Sequence, residues 1–284
     1  MLRLLMIADD FTGALDTGVQ LAAHGIPTQV VVGQADLSAC SSTVLVVDTE
    51  TRHLPAAKAA KAVEELTHSA VENGVGCIYK KTDSALRGNI GAELAALLKA
   101  SGARNLPFLP AFPQIGRTTK KGVHYIDGVP VNESPFGIDP FEPVRCAEVT
   151  KLIHLQTEIP AQNLRPGETA SDKTGILVYD AATAADLEAA GRQLFQNGTP
   201  GAGRLRRLCC LSAGAAGAFG RQRGRDPAAG PTAAGALRQR EPHHPAADGH
   251  RRKGRLYPPA ADPPAEAGAR LLGKRRRQGC AGRN

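Results

Sequence analysis

A chain of 284 residues is long enough for one large or two ordinary domains, and with only 4% aromatic residues and no Trp its core must be aliphatic. Six cysteines without a Cys-x-x-Cys or regular spacing argue against a disulfide framework or an ordinary zinc site. MLRLLMIADD reaches two aspartates too soon for a signal peptide and no apolar run approaches a membrane span, so a cytoplasmic protein without a membrane partner is expected.

Residues 2–8 form a near-continuous apolar run, the pattern of a central parallel strand buried on both faces. It runs into Asp9-Asp10-Phe11-Thr12-Gly13, after which residues 14–23 read as a helix with Leu15, Val19 and Ala22 on one face. Residues 29–32 and 44–47 are the next predicted strands, the second leading into Asp48-Thr49-Glu50-Thr51-Arg52. A helix over 55–71 follows, with Ala59, Val63 and Leu66 inward. Residues 76–79 then form a short strand, and Ile90, Leu94, Leu97 and Leu98 mark a helix. Between these two lies Lys80 to Gly88, which holds two lysines, an aspartate, a serine and an arginine. Residues 106–109 give a fifth strand.

Strand and helix alternate with short connections, which predicts an α/β fold: a parallel sheet with helices on both faces. Three polar turns follow three strands that point the same way, so they can converge on one edge of the sheet, where such folds bind ligands. A carboxylate pair, a basic cluster and a separate arginine on one rim suit a small, hydroxylated anion.

Pro110 to Pro143 breaks the alternation with repeated Pro and Gly. Residues 124–126 and 129–131 flank an Asp127-Gly128 turn and predict a hairpin insertion, and residues 117–121, RTTKK, read as a second cationic loop ahead of it. A short helix over 148–154, a strand over 175–178 and a helix over 182–195 complete this part.

Beyond residue 198 the composition changes. Residues 201–284 contain no Ile and no Val but 16 Arg and 2 Lys against 3 Asp and 2 Glu, or +13, which leaves residues 1–200 at −5. Such a segment buries little apolar surface and is expected to be a basic tail, disordered or non-native. Its Ala, Gly, Arg and Pro are what a GC-rich coding region gives when read out of frame. Arg without interleaved aromatics or repeats argues against nucleic acid as its partner. His243, His244 and His250 with Cys209 and Cys210 match no standard metal spacing. The expected division is an α/β domain over 1–197 and a tail over 198–284.

IADDFTGALDTGVQLA at 7–22, VVDTETR at 46–52, YKKTDSALRGNIGAEL at 79–94 and LPAFPQIGRTTKKGVHYIDGVPVNESPFGIDP at 109–140 together resemble the amino-terminal half of the four-carbon acid sugar kinases. The resemblance implies ATP-dependent phosphorylation of threonate, erythronate or 3-oxo-tetronate at the terminal hydroxyl. It also implies a sugar-acid-binding first domain and a following nucleotide-binding domain, with Mg2+ accompanying the ATP. Carried over, it places Asp9, Asp10, Arg52, Lys81, Thr82, Asp83, Ser84 and Arg87 in the sugar-acid pocket. There Arg52 or Arg87 would meet the carboxylate, and Asp10 or Asp83 would orient or deprotonate the hydroxyl.

No G-x-x-x-x-G-K-[ST] phosphate loop occurs anywhere, so nucleotide-binding residues are unassigned and little or no kinase activity is expected of this chain. Two alternatives are a small-acid-binding module whose basic tail engages nucleic acid and a nicotinamide-dependent oxidoreductase. The latter lacks G-x-G-x-x-G after the first strand.

Overall fold

A computed structural model describes residues 1–165, 167–168, 172–196 and 207–211. The apolar runs become strands of one sheet: β1 (Leu4–Ala8), β2 (Thr28–Val32), β3 (Val44–Asp48), β4 (Cys77–Lys81) and β5 (Asn105–Leu109). The helices between them are α1 (Phe11–Ala22), α2 (Ala56–Glu72) and α3 (Ile90–Ser101). An antiparallel insertion follows, made of β6 (Arg117–Lys120), β7 (Val123–Ile126) and β8 (Val129–Pro130). Then come α4 (Val149–His154), β9 (Ala161–Leu164), β10 (Gly175–Tyr179), α5 (Ala184–Gln196) and β11 (Arg207–Leu211).

The large sheet has the order β2-β3-β1-β4-β11-β5-β10-β9, with every pair parallel. Its two faces follow from the period of two along each strand. Leu5 and Ile7 of β1 join Leu45, Val47, Ile78 and Phe108 in the core with Val63 of α2 and Leu94 and Leu97 of α3. Met6 and Ala8 turn the other way with Val46, Tyr79 and Leu177, beneath Ala14 and Leu21 of α1 and Leu187 of α5.

The same alternation sends the adjacent lysines of β4 to opposite faces. Lys80 enters the α3 side, where it pairs with Glu93 at 2.9 Å, and Lys81 enters the α1 side beside Gly13. Glu93 is raised above the usual carboxylate range by burial, which the charge of Lys80 opposes.

Three elements depart from the expectations. The 117–121 segment expected to be a loop is largely β6, paired in register with β7. Its β-branched Thr118 and Thr119 lie opposite Tyr125 and His124, and those cross-strand partners override a local sequence rich in charge. β9, with the sequence AQNL, carries too weak a pattern to be read from the chain.

β11 lies beyond the expected boundary at 197, yet it sits in the middle of the sheet between β4 and β5. The α/β unit therefore does not end at 197. Leu208-Cys209-Cys210-Leu211 is a four-residue apolar run whose signal is lost among the surrounding Arg, Ala and Gly. The remaining expectations for the tail, including His243, His244 and His250, lie outside the described residues.

The predicted hairpin forms at β7–β8, with both Asp127 (φ 50°) and Gly128 (φ 84°) in the left-handed region as a primed two-residue turn requires. Among the described residues no helix is long and apolar enough to cross a membrane.

Candidate substrate-binding site

β3, β1 and β4 are neighbours in the sheet, so the turns that follow them open side by side at their carboxyl ends. Asp9 and Asp10 follow β1, Thr49 to Arg52 follow β3, and Thr82 to Arg87 follow β4. Arg52 joins all three turns. Its Nε donates to Asp9 Oδ2 at 2.8 Å, and its two amino groups reach Asp10 Oδ2 at 2.9 Å and Asp10 Oδ1 at 2.7 Å. Nη2 also lies 3.8 Å from Asp83 Oδ1. Burial disfavours the Arg52 cation, but the carboxylates of Asp9, Asp83 and Asp10 overcome this and hold its pKa above the ordinary value.

Arg87 grips Asp83 with both prongs, Nε to Oδ2 at 2.7 Å and Nη2 to Oδ1 at 3.1 Å, while its own backbone N–H donates to Oδ2 at 3.1 Å. Burial pushes the Asp83 carboxyl up, but these bonds and the nearby Arg52 hold it below its ordinary value. Lys81 is 4% exposed and donates from Nζ to Thr82 O at 2.7 Å. Burial lowers its pKa against the pull of Asp9, Asp10 and Asp83. A Cβ on Gly13 would stand 2.9 Å from Lys81 Nζ and 2.5 Å from Asp10 Oδ1, so the glycine leaves room for both groups.

Asp10 caps α1 by accepting from Gly13 N at 3.1 Å, which sets its carboxylate at the positive end of the helix. Two buried atoms in these turns, Asp9 Oδ1 and Thr82 Oγ1, have no hydrogen-bond partner among the described residues, and neither has Asp48 Oδ2 at the end of β3. Burial raises the Asp48 carboxyl, assisted by the neighbouring Glu50, Asp10 and Asp9. Buried polar atoms are normally paired, so unpaired oxygens at the carboxyl edge of the sheet mark places where a hydrogen-bond donor would be held.

Ser84 stands well ahead of α3, which starts at Ile90 behind Asn89. Ser84 offers its backbone carbonyl to His124 Nε2 at 2.9 Å. His124 is fully buried and its Nδ1 lies 3.1 Å from Thr119 Oγ1. Because the carbonyl can only accept, Nε2 carries the proton. Burial drives the imidazole pKa down to about 4 despite that bond.

Several site neighbours escaped the sequence reading. Asn89 Nδ2 donates to the carbonyls of Thr51 and Leu54, and Glu93 accepts from the Thr51 hydroxyl, so the α3 end braces the Arg52 turn. Asp139 Oδ2 stands 3.4 Å from Arg87 Nη1, and the Arg87 and Arg117 guanidiniums lie 5.2 and 5.6 Å from the centre of the Phe136 ring. Asn89 and Glu93 occur within the polar turn and helix already singled out, but their partners are about forty residues away. Phe136 and Asp139 sit in a Pro/Gly-rich stretch with no period to mark them.

A doubly wound parallel sheet with acidic and cationic side chains gathered at its carboxyl edge defines a small-molecule-binding α/β domain. The chain belongs to the sugar-binding N-terminal domain family, whose profile matches residues 4–219. It is 38% identical over 199 residues to the D-threonate kinase of Salmonella typhimurium, covering 66% of this chain and 47% of that protein. The D-erythronate kinase of Heliobacterium modesticaldum is 31% identical over 216 residues, covering 70% of this chain and 49% of that protein. A crystal structure of a domain of unknown function from Bordetella bronchiseptica, a domain-swapped dimer with bound citrate, superimposes with a TM-score of 0.66 at 32% identity. It covers 77% of this chain and 55% of that one. The chain thus spans about half the length of the curated relatives it matches.

Proposed function

We propose that this chain is the acceptor-binding half of an ATP-dependent four-carbon acid sugar kinase, and that Asp9, Asp10, Arg52, Lys81, Thr82, Asp83, Ser84 and Arg87 form its sugar-acid pocket. The observation that carries the reading is Arg52, which ties together carboxylates from the turns after β1 and β4 while standing on the turn after β3. Paired carboxylates with spare lone pairs suit vicinal hydroxyls, and a relative of the same fold holds a hydroxylated polycarboxylate, citrate.

Asp10 is the better candidate to orient the attacking hydroxyl. Each carboxylate has both oxygens on a guanidinium, Asp83 on Arg87 and Asp10 on Arg52, but the Asp10 side chain is 26% exposed against 9% for Asp83. Arg52 and Arg87 are both candidates for the substrate carboxylate, but Arg52 is saturated by acids, and Arg87 keeps outside its fork only Nη1, 3.4 Å from Asp139. ATP, when bound, supplies the phosphoryl group. Among the described residues no three His, Cys, Asp or Glu side chains could group around a metal ion, so no protein-held Mg2+ is assigned.

Calorimetric titration of the 284-residue chain with D-threonate, D-erythronate and 3-oxo-tetronate tests the reading. Binding of at least one acid, abolished by Arg52→Met and retained without ATP, is expected, with no phosphorylated product formed by this chain alone. Failure to bind any of the three removes the sugar-acid assignment, and ATP-dependent product would place nucleotide chemistry within this chain.

A further inference from the structure

The cations of the site already face acids: Arg52, Lys81 and Arg87 stand against Asp9, Asp10 and Asp83. An incoming carboxylate therefore needs a cation that these acids have not already taken. Arg87 has only Nη1 outside its fork with Asp83, and that atom reaches Asp139 at 3.4 Å. We propose that Arg117 is the missing cation, and that Arg87 and Arg117, both set against the Phe136 ring, receive the carboxylate end of the sugar acid. The proposal rests on the sugar-acid reading above.

Arg117 leads β6, on the cationic segment that the pocket has not yet used. Its Nη1 donates to Ile115 O at 3.0 Å and to Asp127 Oδ2 at 3.3 Å, but the Asp127 side chain is 73% exposed and its charge is screened by water. Its Nε is buried without any partner among the described residues. A buried unpaired guanidinium donor is costly, and a carboxylate is the group whose geometry matches it.

Two features fix the position of this arginine. A Cβ at Gly116 would overlap Asp127, so the left-handed glycine (φ 73°) lets that turn close against β6. Both guanidiniums lie against the Phe136 ring, Arg87 at 5.2 Å and Arg117 at 5.6 Å from its centre. His124, on the strand paired with β6, holds the Ser84 carbonyl, so β7 ties the Arg117 strand to the turn after β4. The hydroxyls of the acid would then meet Asp9 and Asp10, which orients the ligand along the rim.

The test is calorimetry with D-threonate, and with D-erythronate and 3-oxo-tetronate if needed, on the wild-type chain, Arg117→Gln and Arg117→Lys. Arg117→Gln should weaken binding by about 10- to 100-fold, the loss of one charged hydrogen-bonding group, and Arg117→Lys by less. The salt dependence of the affinity should flatten in Arg117→Gln while the ligand-free melting temperature stays put, a pattern that a purely structural role does not give. Should Arg117→Gln not fold, Phe136→Leu keeps both charges but removes the ring, and several-fold weaker binding is expected. Wild-type affinity and salt slope in the folded variant overturn the role of Arg117. A wild-type chain that binds none of the three acids removes the sugar-acid reading and this assignment with it.

Discussion

Arg52 is 8% exposed and lies within reach of three carboxylates, so its replacement would strand buried negative charge. Removing one partner of a buried ion pair costs about 3–5 kcal/mol, and Arg52→Met should lower the unfolding free energy from urea titration by that order as well as abolish the proposed sugar-acid binding. Equal stability in the variant would show that the Asp9–Arg52–Asp10 cluster is solvated and not a structural unit. His124 makes a second prediction, with a defined sign. Its folded pKa of about 4 lies below the ordinary 6.5, so the unfolded chain binds the proton more readily between these values. The stabilisation is complete above pH 6.5 and is lost as pH falls toward 4, by an amount on the order of 3 kcal/mol. Urea unfolding of the wild type at pH 7.5 and 5.0 should show the drop, and His124→Gln should show a smaller one. Motif and spacing were enough to single out Arg52, because it closes a polar turn, Asp48 to Arg52, that directly follows an apolar run. They did not find His124, whose partners are contributed by β6 and by the Ser84 loop.

Among the elements, the contact of α3 with α4 is set by a single small residue. A Cβ on Gly91 would stand 2.3 Å from Ile153 O, against backbone that cannot swing aside. Gln156 Oε1 also accepts from the Gly91 and Ala92 amides, fixing the same end of α3. Gly91→Ala should therefore destabilise by roughly 1–3 kcal/mol, although alanine favours helix, because overpacking outweighs propensity. A melting temperature at or above wild type would mean that the two helices can separate without cost. The α3 end also carries Asn89 and Glu93 against the Arg52 turn, so Gly91→Ala should weaken sugar-acid binding along with stability. The major strands and helices were legible because their apolar residues repeat at two or at three and four. β6 and β9 were not, since their hydrogen-bonded neighbours, and not their own residues, make them strands.

For the whole molecule, the position of β11 matters most. It pairs with β4 on one side and β5 on the other, so a chain ending at residue 197 would leave two central strands with open edges. Residues 1–197 expressed alone should be insoluble or molten, whereas residues 1–219, the extent of the family match, should unfold cooperatively. Circular dichroism and urea titration of the two lengths distinguish these outcomes, and cooperative unfolding of 1–197 would show that β11 is dispensable. By itself the sequence determined the alternation of strands and helices, the three polar turns that follow β1, β3 and β4, and the composition shift past residue 198. These depend on local periodicity and on which side chains sit next to each other along the chain. Only the tertiary structure decided that β11 inserts between β4 and β5, that Arg52 and Arg87 are already occupied by carboxylates, and that Arg117 shares a ring with Arg87. Those outcomes depend on pairings between residues distant in the chain, whose energies appear only once the sheet has brought them together.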